Sequence, residues 1–269
     1  MTKIFHNIRK KLAAENKVMA YLRYAVGEIL LVVIGILIAL QVNNWNEVQK
    51  IKKQEKDFFS EVLNDLQKDQ NRITYLNKYL QNRIRCDDTL LYYVRNPQKQ
   101  MGLEKFGNYV EPLYYGETAI SYSTTFESAK ASDAISGFQQ KGLIKDLTQY
   151  YADFESIKGT LNSISTFVEN RFEPIMATIS EGYINENTGS LVVTEESVKD
   201  FYRNVAGVKD KRKHQADYKS ILKNLGFESY LIGDLGRSYN SIAKIEARQN
   251  RISEIGKEIR KYLNDKNIP

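Results

Sequence analysis

One cysteine, two histidines, one tryptophan and four prolines in 269 residues leave several chemistries without residues to perform them. Cys86 has no intrachain partner, so a disulfide scaffold is excluded and its thiol is expected to be free and partly buried. His6, His214 and Cys86 are too few and too scattered for a transition-metal site, and no other cofactor signature is present. Strings of the CxxC, HExxH, GxSxG and Walker types are missing. Carboxylates such as Asp87 and Asp88 read as exposed helix charges rather than a general acid–base pair, because nothing in the sequence pairs them across a cleft. The sequence therefore points to no enzyme, no cofactor and no metal.

Charge of one sign is scarce beyond the N-terminus. Lys and Arg total 39 against 33 Asp and Glu, but residues 1–46 hold six basic and two acidic side chains, +4 of the net +6. Elsewhere the signs alternate, as in the run KDKRKHQAD, which reads as a solvated helix surface rather than a nucleic-acid face. A mean hydropathy of −0.48 excludes a polytopic membrane protein.

One long apolar run is present. From Ile29 to Leu40 every residue is apolar or Gly, and the run extends from Ala25 to Val42 with only Glu28 and Gln41 interrupting. At ~1.5 Å per residue this stretch is about 27 Å long, enough to cross bilayer hydrocarbon. Tyr21 and Tyr24 before it and Trp45 after it are the amphipathic rings expected at the two headgroup levels. A small-x-small cleavage site is missing after the run, since Leu37 stands two positions before Ala39, so the segment reads as a retained signal anchor. Glu28, Gly35 and Ala39 share one helical face, and Gly35-x-x-x-Ala39 is a spacing that admits a second helix closely. Flanking basic residues number five before the span (Arg9, Lys10, Lys11, Lys17, Arg23) and four after it (Lys50, Lys52, Lys53, Lys56), which favours a cytoplasmic N-terminus. Ile4, Phe5, Ile8 and Leu12 fall on one face among basic residues. They suit either a short helix on an anionic leaflet or a plain cytoplasmic tail.

The string from Tyr24 to Glu47, YAVGEILLVVIGILIALQVNNWNE, resembles the opening of a large uncharacterised family of single-anchor proteins of Bacteroidota, known only as a domain of unknown function. The segments TTFESAKASDAI and LIKDLTQYY are a looser match to the same family. Members usually carry Ser-Gly where this chain has Ser132 and Asp133, so the turn there is expected to differ. The resemblance implies a bacterial inner-membrane protein and brings no activity.

Beyond the anchor, residues 36–96 hold neither Gly nor Pro, and Phe59, Val62, Leu66, Ile73, Leu76, Leu80, Ile84, Leu91 and Val94 recur with helical period. The anchor is expected to run into this helix, which Asn96-Pro97 ends. Residues 97–123 read as a connecting loop with turns, and Thr124 with Glu127 as a capping box. Apolar period resumes from Leu143 to Ile179 with Pro174 as a kink or restart. A helix from Thr194 turns Val198, Phe201, Tyr202 and Val205 inward, and a last one over about 227–264 buries Leu231, Leu235, Tyr239, Ile242, Ile245, Ile252, Ile255 and Ile259.

The organisation expected is a basic segment over 1–20, a transmembrane anchor over 21–45 and an ectodomain over 46–269. The fold class is all-α, an anchor helix continuing into an antiparallel bundle of long helices. Tyr109, Tyr114, Tyr115 and Tyr122 form a candidate ligand loop. The function expected is a non-enzymatic periplasmic scaffold or accessory subunit on the inner membrane. Its partners are membrane lipids and another envelope protein or a second copy, with no nucleic acid. The alternative is a ligand-sensing bundle that signals laterally.

Overall fold

The computed structural model describes residues 18–179, 182–184, 188–194, 199–208, 212 and 217–265. All but the last three residues of the basic N-terminal segment, with its apolar face, lie outside them, as do the side chains of Tyr21 and Tyr24 and the residue Val198. Among the described residues the fold is all-α without a strand. The helices are α1 (Val18–Arg95), α2 (Leu103–Val110), α3 (Thr124–Ala131), α4 (Lys141–Ala152), α5 (Phe154–Phe167), α6 (Glu173–Met176), α7 (Lys199–Ala206), α8 (Tyr218–Ile221) and α9 (Leu225–Asn264). Contacts divide the chain into two compact units, Met1–Asp57 with Gly137–Gln139, and Phe58–Ser136 with Gln140–Pro269.

In the first unit, α1 carries the apolar run. Its large hydrophobic side chains from Ile29 to Leu40 are 44–69% exposed, an apolar surface far larger than water-facing helices present. The helix is long and apolar enough to cross a membrane, and none of its most apolar window is buried.

In the second unit, the remainder of α1 lies antiparallel to α9. Ring contact between Phe59 and Tyr262 (5.4 Å between centroids) fixes one end, and the Arg95 Nε to Glu228 Oε1 pair (2.8 Å) the other. Helices α4 and α5 pack on α9 through Leu143, Leu147, Tyr150, Ile157, Leu161 and Ile164. After α5 one π-helical turn, Val168–Phe172, buries Val168 and Phe172. Pro174 then restarts the chain at the first turn of α6, where its missing N–H costs nothing.

Several expected details shift. Ser123, not Thr124, is the N-cap of α3, and it makes no side-chain capping bond. In the turn after α3 Asp133 has φ 57°, a left-handed backbone that glycine adopts freely, and its carbonyl and carboxylate accept from Ser136 Oγ (2.8 and 3.2 Å). Residues 188–191 form a 3-10 turn, and the described part of α7 begins at Lys199. Phe201 and Tyr239, expected inward, are 52% and 55% exposed, while Tyr202 is buried. On α9 Leu231, Ile245, Ile252, Ile255 and Ile259 are buried as expected, whereas Leu235 and Ile242 are half-buried and Asp234, Ser238, Ser241 and Arg248 take inward positions, with Asp234 and Arg248 paired to α1.

Candidate functional site

The polar chemistry of the second unit is concentrated on the inward face of α1. Asp65, Asp69, Arg72, Arg83 and Asp87 are all buried there among the apolar positions. Burying such groups costs several kcal/mol each unless they are paired and hydrogen-bonded. Two arginine centres supply the pairing. Asp69 and Arg83 stand fourteen residues apart on α1, and Asp234 and Arg248 stand fourteen apart on α9. In an antiparallel pair these patterns are complementary, so Asp69 meets Arg248 (3.0 Å) and Arg83 meets Asp234 (2.6 Å). Fourteen residues are four helical turns, and sliding one helix against the other would leave four charges buried without partners.

Arg83 has no exposed surface, and all three of its guanidinium nitrogens are used. Nε and Nη2 donate to the Asp234 carboxylate (2.6 and 3.1 Å). Nη1 donates to the carbonyls of Pro112 (3.3 Å) and Tyr115 (2.9 Å) and to the Tyr79 hydroxyl, and Nη2 to the Leu113 carbonyl (3.1 Å) and the Tyr230 hydroxyl (2.9 Å). Burial holds the Tyr79 phenol up at about 12 and raises the Tyr230 phenol well above its usual range. Beside this pair lies Asp87, whose two oxygens meet no N–H or hydroxyl donor among the described residues. Burial, then the neighbouring Asp234, raises the Asp87 carboxyl well above its usual range, against the opposing pull of Arg83. This shift favours the neutral acid over the carboxylate. Cys86, free and fully buried, has its thiol pushed up to about 12 by burial and is chemically quiet at neutral pH.

The second centre is built on Asp69. Its carboxylate accepts from Arg248 Nη2, the Tyr150 hydroxyl, Ser121 Oγ (3.0 Å) and the Tyr122 backbone N–H (2.7 Å). Arg248 also donates to the Tyr150 carbonyl (2.8 Å) and lies 3.7 Å above the Tyr150 ring. Burial raises the Tyr150 phenol.

Together these groups bind the chain between α2 and α3 along α1 as a strap. Arg83 and Tyr79 hold residues 112–115; Arg72 and Tyr75 hold Glu117, with Arg72 reaching the Thr118 carbonyl (2.8 Å); Asp69 holds 121–122; and Asp65 accepts from Thr125 Oγ1 (2.7 Å). Its other side is closed as tightly. A Cβ at Gly116 would stand 2.1 Å from Ser165 Oγ on α5, and one at Gly107 would stand 2.9 Å from the Tyr183 carbonyl. The candidate ligand loop occupies this strap. Tyr114 bonds the Tyr183 hydroxyl (3.1 Å) and packs on Phe172, and Tyr115 bonds the Tyr202 hydroxyl (2.9 Å), which donates in turn to buried Glu111 (2.8 Å). Tyr109 is half-buried under Lys105, and Tyr122 is exposed beneath Lys68.

Several clefts among the described residues open at other places in this unit. One of about 310 Å³ is lined by Tyr150, Ser156, Lys244, Arg248 and Arg251, and one of about 410 Å³ by Phe167, Asn170, Arg171, Ile175 and Tyr230. A third, of about 180 Å³, combines Tyr93 and Met101 with Lys99, Lys219 and Lys223. Among the described residues no cluster of His, Cys, Asp and Glu is arranged to hold a metal ion.

The sequence-derived anchor residues are found on the exposed helix of the first unit. Gly35 has open space where a Cβ would stand, Ala39 is exposed, Glu28 is half-buried and Trp45 is 62% exposed. This helix and the strap both fall within one stretch of recognisable sequence. Residues 28–154 match a family of unknown function, DUF6090. The DUF6090 match takes in Asp69, Arg83 and the strap but stops before Asp234 and Arg248. No curated protein and no solved structure matches the chain. The chain is thus similar to an uncharacterised family, and its apolar N-terminal helix fits a membrane-anchored protein.

Proposed function

We propose that this chain is a non-enzymatic scaffold or accessory subunit of a bacterial inner membrane, of Bacteroidota by the resemblance of its anchor. In this reading the N-terminus is cytoplasmic, the helical bundle is periplasmic, and the protein acts by binding another envelope protein or a second copy. One observation carries the reading. On α9 the large side chains Leu225, Ile232 and Tyr239 are 83%, 48% and 55% exposed at intervals of seven, and the small residues Ser229, Gly236 and Ala243, also exposed, repeat at the same interval between them. This alternation of large and small residues runs about 27 Å along one helix, the length of a coiled-coil seam of nearly three heptads. A Cβ at Gly236 would meet nothing, so a partner backbone has room to approach there. The anchor face of Glu28, Gly35 and Ala39 offers a second contact within the membrane.

Crosslinking of the full chain in native membranes tests the reading. A discrete complex is expected, and Ile232→Lys with Tyr239→Lys should abolish it at equal expression while the bundle melts unchanged. Gly35→Leu should weaken it if the membrane face contributes. A monomer in wild type, or capture that ignores both sets of substitutions, overturns the proposal. The alternative of a ligand-sensing bundle draws its support from the lysine-lined cleft.

A further inference from the structure

We infer that the cleft between the end of α1 and α8 is an anion site for a phosphomonoester borne on an apolar body. The geometry supplies both halves of such a ligand. Lys99 stands on the turn after α1, Lys219 and Lys223 stand four apart across the cleft, and none of these three ammonium groups has a carboxylate partner among the described residues. Nearby acids are engaged: Glu228 pairs with Arg95, and Asp217 caps α8 by accepting the Lys219 backbone N–H (3.3 Å). Three like charges converging on one cavity repel one another, and a dianion relieves that repulsion where a carboxylate monoanion would relieve less.

The apolar half is formed by Tyr93, buried Met101 and Leu222. These walls are held in place. Tyr93 accepts from Lys105 Nζ (2.9 Å), which fixes its ring at the cleft wall. The Met101 carbonyl accepts from Tyr218 Oη (2.9 Å), and the Lys99 N–H donates to the Asn96 carbonyl (2.8 Å). A volume of about 180 Å³ exceeds the ~150 Å³ that admits benzene in an engineered protein cavity, so a phosphate with a few carbons fits and a nucleotide does not. The same head group occurs on a soluble aryl phosphate and on a lysophosphatidate.

The experiment uses the full chain in phosphatidylcholine nanodiscs, titrated calorimetrically with phenyl phosphate and, separately, with a short-chain lysophosphatidate below its micellar concentration. Binding of phenyl phosphate identifies a soluble ligand class, and binding of the lysophosphatidate alone identifies a lipid head group. In either case Lys219→Gln with Lys223→Gln should weaken binding at least about tenfold, the scale of losing one charge-assisted hydrogen bond. Lys257→Gln, on the exposed side of α9, should leave it unchanged. Failure of both ligands to bind, or equal binding by the double variant, overturns the inference. The scaffold proposal is read from complex formation through α9, so either can fail without the other.

Discussion

Residues 29–40 of α1 expose every large apolar side chain, whereas residues 65–87 of the same helix bury five charged ones. In water both arrangements are unfavourable, and each is explained by a different substitute for water. The first stretch has uniformly aliphatic side chains facing all directions, which lipid solvates as well as a protein core does. The second is solvated by the protein itself, through guanidinium groups, tyrosine hydroxyls and the carbonyls of the strap. Polar groups buried this way contribute little net stability beyond apolar packing, but each fixes a register: fourteen residues along two helices, and four points along one loop.

The largest expected effect comes from breaking the second kind of solvation. Arg83→Met should destabilise the bundle by roughly 3–5 kcal/mol, because Asp234 and the Pro112 and Leu113 carbonyls lose the Arg83 donor inside the core. Adding Asp234→Leu should return much of that loss, measured by chemical denaturation of both variants. If the double variant is no better than the single, the strap carbonyls rather than the ion pair carry the cost. The corresponding insult to the first stretch is Val33→Arg. It should disfavour membrane insertion by ~2.5–3.5 kcal/mol, seen as loss from the carbonate-resistant membrane fraction, and leave bundle melting untouched. Undiminished insertion would mean that the apolar stretch meets something other than lipid.

These two stretches were not equally legible. The apolar run, its end and the break at Pro97 follow from residue type alone, and the apolar positions Phe59 to Leu91 were placed inward by their period. Periodicity of apolar residues says nothing about charged residues on the same face, so Asp87 reads as a surface carboxylate although it is wholly buried. On α9 the same blindness turned Tyr239 inward, because Asp234, Ser238 and Ser241 hold the buried positions that the pattern assigned to Leu235 and Ile242. The signal that marks the site is the Asp–Arg spacing of fourteen, present on both long helices with the signs ordered for an antiparallel pair. Over the strap the sequence reads as a loop rich in tyrosine, and the bonds those tyrosines make across 69 or 87 residues leave no local trace.

The smallest effect concerns Asp87, a buried carboxyl that meets no donor among the described residues. Asp87 has its folded pKa raised by burial and by Asp234, so its linkage runs opposite to that of a salt-bridged acid. Below the unfolded value, near pH 4, both states are protonated and the group does not oppose folding. Above it the unfolded chain releases the proton while the folded chain keeps it, and stability falls by up to ~1.4 kcal/mol per pH unit until the folded pKa is passed. Asp87→Asn preserves the shape and a donor toward Asp234 without the ionisation. The variant should match wild type near pH 4 and exceed it by ~1–3 kcal/mol near pH 7, the scale of an unsatisfied buried group. Denaturant midpoints taken every half unit across that window give the test. Parallel profiles for wild type and variant would show that Asp87 is ionised in the folded protein, and Arg83 would then be neutralising two carboxylates rather than one.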